Sequence, residues 1–132
     1  MQGRCLCGNI RYVLDTAPRM TFACHCRDCQ RQTGSAFSYF TLMKREKFHL
    51  TGTPRSHSTI GESGRSVTRH FCGDCGSPVF SELEKAPGIV VIPVGTLEGD
   101  PGLVPSRHSW VRHKQAWLTL EGAAELYEEE MP

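Results

Sequence analysis

Cys24-His25-Cys26-Arg27-Asp28-Cys29 places three thiols within six residues, and its reading decides what kind of fold this chain can build. Cys5-Leu6-Cys7 upstream and Cys72-Gly73-Asp74-Cys75 downstream complete a set of seven cysteines, none of which lies outside these clusters. Thiolates gathered at one centre repel unless a cation neutralises them, so the spacing points to a soft metal such as zinc. Four ligands close one tetrahedral site; three remain for a second site that is one ligand short.

Cys72-Gly73-Asp74-Cys75-Gly76 has the form of a zinc knuckle, a tight turn that aims two sulfurs and nearby N–H groups at one point. Cys5 and Cys7 sit two apart, on one face of an extended segment, about 7 Å apart along the chain. Together Cys5, Cys7, Cys72 and Cys75 make a closed structural site that ties the start of the chain to a distant turn. A redox pair at Cys72 and Cys75 is the competing reading, but no helix start or βαβ context follows Cys75.

Cys24 and Cys26 share a face, and Cys29 follows where a short helix begins, so all three can meet a second ion. An open position there would accept water or a substrate sulfur and lower its pKa. The alternative is a site closed by a histidine, with His49, His57, His70, His108 and His113 as candidates. His25 alternates away from its two cysteine neighbours and reads as a packing or supporting residue. Arg27 and Arg31, four apart, could hold a carboxylate or simply stand in solvent. Ser35, Ser38 and Tyr39 could offer hydroxyls to a ligand; Trp110 and Trp117 read as core residues before pocket residues. Four thiolates also suit iron, but no iron–sulfur spacing is present, which favours zinc.

The 132 residues carry thirteen Gly, eight Pro and 39% hydrophobic residues, which suits one soluble domain over 1–132 with a thin core supported by metal. A net charge of +1 gives no reason to expect nucleic acid as a partner. Residues 1–66 carry ten Lys/Arg against four Asp/Glu, and residues 67–132 five against ten. Intramolecular charge matching explains that split, and a basic pocket for an anion is the sharper alternative. No signal-like or membrane-length apolar run is present, so the expected setting is cytoplasmic, where close thiols favour metal over disulfides.

Strand character recurs over Ile10–Leu14, Phe37–Leu42, Ser66–Phe71, Val79–Ser81 and Gly88–Val94, separated by turns, which predicts a mainly β fold of antiparallel sheets. One short helix should start near Asp28 and stop at Gly34, and a second is expected over Arg112–Trp117. The Glu-rich Glu125–Glu130 suits a frayed helix or a solvated tail, with the tail favoured.

The run from Cys24 to Phe37, with Cys5-Leu6-Cys7-Gly8 before it and Phe71-Cys72-Gly73-Asp74-Cys75-Gly76-Ser77 after it, resembles the glutathione-dependent formaldehyde-activating enzyme family, which includes centromere protein V. Gly95-Thr96-Leu97 and Trp117 extend the resemblance across nearly the whole chain. It implies a zinc-stabilised β-tent with two zinc ions per chain. Cys5, Cys7, Cys72 and Cys75 would hold the structural ion, and Cys24, Cys26 and Cys29 the catalytic one. The implied activity is a carbon–sulfur lyase resembling S-(hydroxymethyl)glutathione synthase, with a small thiol such as glutathione as partner. A non-enzymatic zinc module and a thiol- or metal-responsive protein are the alternatives; a long basic or proline-rich extension, the mark of the first, is absent from this sequence.

Overall fold

The computed structural model describes residues 1–122 and 124–132. In chain order the strands are β1 (Gln2–Arg4), β2 (Arg11–Leu14), β3 (Thr21–Cys24), β4 (Ser38–Lys44), β5 (Phe48–Thr51), β6 (Arg55–Ile60), β7 (Ser66–Phe71), β8 (Pro78–Leu83), β9 (Ile89–Pro93), β10 (Pro105–Ser109) and β11 (Glu125–Leu126), with one helix, α1 (Arg27–Thr33), between β3 and β4. They form a three-stranded sheet, β1-β2-β5, and an eight-stranded sheet, β11-β10-β3-β4-β9-β8-β7-β6.

Side-chain alternation explains how the sheets meet. In Arg11-Tyr12-Val13-Leu14 the even positions are buried, and they pack with Phe48 of β5 against one face of the large sheet. Val90 and Ile92 of β9, Met43 of β4 and Phe80 of β8 come from that face, so the core lies between the two sheets. The apolar run Ile89-Val90-Val91-Ile92 does not alternate, because both of its faces are covered. Val90 and Ile92 enter the core, whereas Ile89 and Val91 line a cavity on the opposite face.

The expected strands at Ser66–Phe71, Val79–Ser81 and Gly88–Val94 coincide with β7, β8 and β9. Pairing is antiparallel except at one margin, where β10 runs parallel to both β3 and β11. Turn-separated strands predicted antiparallel pairing throughout; β10 instead reaches β3 from more than eighty residues away and is not bound by hairpin geometry. Helix α1 begins at Cys26, whose Sγ accepts the Cys29 N–H at 3.3 Å, and ends at Gly34 with φ 64°. At the second expected helix only a 3-10 turn forms, Val111–His113, closed by His113 N–H to the Trp110 carbonyl at 3.0 Å.

The Glu-rich segment also departs from expectation. β11 pairs with β10, the Tyr127 N–H reaches the His108 carbonyl at 2.8 Å, and the Trp110 N–H reaches the Glu129 carbonyl at 2.8 Å. The backbone of β10, at the margin of the sheet, had unpaired groups to offer, and this segment satisfies them. Charge matching between the two halves is visible in Arg4–Glu98 and Arg65–Glu130, at 2.9 and 2.7 Å.

Candidate metal centres and the adjoining cavity

Two local turns build the four-cysteine cluster. The Gly8 N–H reaches the Cys5 carbonyl at 3.1 Å in one, and the Gly76 N–H the Cys72 carbonyl at 2.8 Å in the other. Gly76 has φ 77°, a conformation that favours glycine. Across the cluster the Leu6 N–H donates to Ser77 Oγ at 3.0 Å and Asn9 Nδ2 to Asp74 at 2.8 Å, so polar bonds already join the two sheets there.

The sulfurs of Cys5, Cys7, Cys72 and Cys75 all lie within 4.8 Å of one another. Cys5 to Cys7 is 3.6 Å and Cys7 to Cys72 is 3.7 Å. A zinc–sulfur bond of about 2.3 Å in a tetrahedron requires sulfur–sulfur edges of about 3.8 Å, so this donor set fits a metal of zinc's size. The thiol equilibria carry the same message. Cys75 is lowered to about 5, first by the Ser77 hydroxyl. Cys7 is pushed up to about 12: the Asn9 N–H lowers it, but desolvation and the neighbouring thiols outweigh that pull. Proton-only chemistry leaves some of these sulfurs protonated; a bound cation would remove that conflict.

Cys24, Cys26 and Cys29 form the second cluster, again with sulfurs within 4.8 Å of one another. Cys24 is lowered to about 3 by hydrogen bonds from Cys26, then Cys29, with Ser109 contributing. Hydrogen bonding with Cys24, and then with Cys26, raises Cys29 in return, well above the usual thiol range. One thiolate shared among three sulfurs is the state without a cation, and the donor set suits a soft metal as the first does. Register places Cys24 between Ser109 of β10 and Ser38 of β4.

Among the described residues, no His, Asp or Glu joins these three sulfurs. The candidate histidines are engaged elsewhere or lie apart. His49 pairs with Asp15, His70 with Glu82 and His113 with Glu62, while His57 is exposed on β6. His108 Nδ1 meets Nε2 of His25, which is fully buried, so His25 holds a supporting position as its alternation predicts.

The three-cysteine cluster opens on a cavity of about 340 Å³. Its floor is the second face of the large sheet: Phe22 pairs with Phe40, and a cross-strand row runs from Leu42 through Val91 and Ser81 to Arg69. Trp110 packs against Cys24 and Cys29, holding φ at 57°, which for a bulky residue stores about 1 kcal/mol or more at this site.

Several expected participants are placed differently. Arg27 lines the cavity with its guanidinium held by Gln30, whereas Arg31 is exposed and no pair forms. Ser35 is exposed, Ser38 is buried, and the Tyr39 hydroxyl donates to the Leu103 carbonyl at 2.7 Å; none lines the cavity. Trp117 is 73% exposed and not a core residue. Sequence reasoning missed the cavity floor and Ser109. The apolar run Met20-Thr21-Phe22-Ala23 ahead of Cys24 was the available signal for the first; Ser109 carried none, because it reaches Cys24 only through parallel pairing.

Fold and clusters together define a mainly β protein with two sets of thiols that could each hold a metal ion, the smaller opening on a cavity. The sequence profile of the glutathione-dependent formaldehyde-activating enzyme matches residues 1–113, and the chain belongs to that family. A Penicillium rubens protein named "Putative glutathione-dependent formaldehyde-activating enzyme" is 27% identical over 84 residues, 62% of this chain and 44% of that protein. A Fusarium vanettenii protein of the same name is 26% identical over 84 residues, 62% of this chain and 45% of that one. The matched stretch thus spans under half the length of these curated relatives. A crystal structure of a Rhodobacter sphaeroides protein shares the fold, with TM-score 0.60 and 19% identity over 76% of this chain and 90% of that one.

Proposed function

We propose that the chain is a zinc-dependent carbon–sulfur lyase resembling S-(hydroxymethyl)glutathione synthase, joining a small thiol such as glutathione to formaldehyde and reversing that addition. The observation that carries the reading is the three-cysteine cluster on the cavity wall, without a fourth His or carboxylate donor among the described residues. Family membership supports the substrate pair. In this reading Cys5, Cys7, Cys72 and Cys75 hold a structural zinc, and Cys24, Cys26 and Cys29 a second one with a position left for substrate.

Zinc at the second cluster would keep an incoming thiol as thiolate at neutral pH and polarise a carbonyl oxygen. The addition forms one S–C bond, breaks the C=O π bond, and moves the sulfur's proton to the carbonyl oxygen; the reverse reaction restores both. The chain's residues would position the reactants. Phe22, Phe40, Leu42 and Val91 exclude water from the cavity floor, and Ser109 supports the Cys24 thiolate.

Cobalt in place of zinc makes ligand exchange visible. Glutathione should change the absorption of the cobalt at the second cluster alone, and the loaded protein should cleave S-(hydroxymethyl)glutathione faster than buffer does. If neither glutathione nor 2-mercaptoethanol alters the cobalt spectrum, the reading fails.

A further inference from the structure

Arg65 ends the turn between β6 and β7, and Lys85 follows Glu84 in the turn between β8 and β9; both line the cavity that the three-cysteine cluster opens on. Their relative positions are set by the backbone beside them. The Ser66 N–H donates to the Glu84 carboxylate at 2.7 Å, and the Glu84 N–H returns a bond to the Ser66 carbonyl at 3.1 Å. Two cations are thus presented side by side from a braced pair of turns.

A carboxylate of the chain itself fills the space they define. Glu130 Oε1 stands 2.7 Å from Arg65 Nη1, and its Oε2 3.6 Å from Lys85 Nζ, so each carboxylate oxygen meets one cation. Glu130 arrives on the segment that crosses from β10, where the Glu129 carbonyl accepts the Trp110 N–H. Beyond that bond, among the described residues, two Glu130 ion pairs and a bond from Lys85 to the Met131 carbonyl hold the segment, with Met131 at the cavity. Glu130 is about one-third exposed and Arg65 nearly half, and such ion pairs each shift an equilibrium only a few-fold. The occupant is held weakly enough to exchange.

The remaining charges favour an anion in its place. Arg27, Arg69 and Arg107 also line the cavity, against Asp28 and Glu62. Glu62 is itself paired with Arg112 and His113 at 3.1 and 2.8 Å, and Arg107 with Glu125 at 3.9 Å, which leaves Arg27 and Arg69 against Asp28.

We propose that Arg65 and Lys85 form a carboxylate subsite at the cavity, that Glu130 occupies it in the free protein, and that a carboxylate of the incoming thiol displaces Glu130. Glu130 then acts as a competitor that keeps the cavity covered until a carboxylate-bearing ligand arrives. This rests on reading the cavity as the thiol-binding site.

The test uses the metal-loaded protein and S-methylglutathione, which retains the carboxylates but has no thiol to ligate a metal, with its dimethyl ester as the control that lacks both carboxylates. By calorimetry, Glu130→Gln should bind the acid about threefold or more tightly than the unsubstituted protein, and Arg65→Gln or Lys85→Gln several-fold more weakly. The dimethyl ester should not distinguish the four proteins. Thermal melts of each variant confirm that folded protein is compared. Unchanged affinity in Glu130→Gln, equal responses to acid and ester, or no binding of the acid by any of the four proteins overturns the subsite. The cobalt response to 2-mercaptoethanol, a thiol without a carboxylate, reports the metal centre separately, so it can stand while the subsite falls.

Discussion

His25 Nε2 and His108 Nδ1 face each other at 2.9 Å, joining the residue between Cys24 and Cys26 to the strand that runs parallel beside them. One nitrogen must donate and the other accept, so the pair is satisfied when both rings are neutral. His25 Nδ1 is buried without a partner. Placing the proton on His25 Nε2 leaves a bare lone pair there, which costs less than an orphaned N–H.

Burial, and then the positive charge of neighbouring His108 and Lys114, hold His25 down to about 4, and burial lowers His108 as well. Unfolded, an imidazole titrates at about 6.5, so below that value the unfolded chain binds more protons and is favoured. Stability contributed by His25 is fully present above pH 6.5, and falls as pH drops from there towards about 4. Ring-nitrogen NMR should show His25 unprotonated at pH 5.5; a titration midpoint of 6 or higher would contradict the prediction.

The two cysteine clusters should differ in what their loss does. Cys72→Ser breaks the crosslink between the sheets at a residue 1% exposed, and should abolish cooperative unfolding or lower its midpoint steeply. Cys26→Ser should release one equivalent of metal while the β circular-dichroism signal and a cooperative melt persist. Metal analysis beside thermal melts reads both; identical behaviour of the two variants would refute the assignment of separate roles.

Ser109 is 4% exposed and its hydroxyl supports the Cys24 thiolate. Removing it in Ser109→Ala should weaken metal affinity at the second cluster about tenfold, leaving the four-cysteine cluster unaffected. Chelator competition should therefore show one of two metal equivalents lost more readily.

Gly3 in β1 lies opposite Tyr12, and a Cβ there would sit 2.1 Å from Tyr12 Cζ and 2.7 Å from the Thr96 carbonyl oxygen. Tyr12 is pinned by its 2.7 Å bond to Thr96 Oγ1 and by the core around it, so it cannot simply swing aside. Gly3→Ala should cost about 2 kcal/mol or more, read as a lower urea midpoint at unchanged slope. A loss under about 0.5 kcal/mol would show that the β1–β2 contact yields easily.

How far the chain could be read in advance varied with the range of the interaction involved. β7 and α1 were legible because their signals are local: a bounded run in one, and a C-terminal Gly34 in the other. β3 carried an apolar run that also suits a buried loop or helix, and its strand identity depends on β4 and β10 beside it. Glu125–Glu130 looked solvated because its charges have no local partners; Arg65 and Arg112, which pair with Glu130 and Glu129, are supplied from other turns. Trp117 was misplaced because an aromatic residue usually prefers burial, and nothing local shows that no packed layer covers it.

By itself, the sequence determined three local clusters of thiols, since spacing within each is a property of a few consecutive backbone bonds, and ligand counting suggested four and three; the meeting of Cys5 and Cys7 with Cys72 and Cys75 is a tertiary contact. Only the tertiary structure decided what the three face. Parallel pairing of β10 with β3 brings Ser109 and Trp110 to Cys24, and the second face of the large sheet provides an apolar floor; the segment after β11 carries Glu130 to Arg65 and Lys85. Those contacts join residues tens of positions apart, and their register is set by the packing of whole strands and not by any local run of residues.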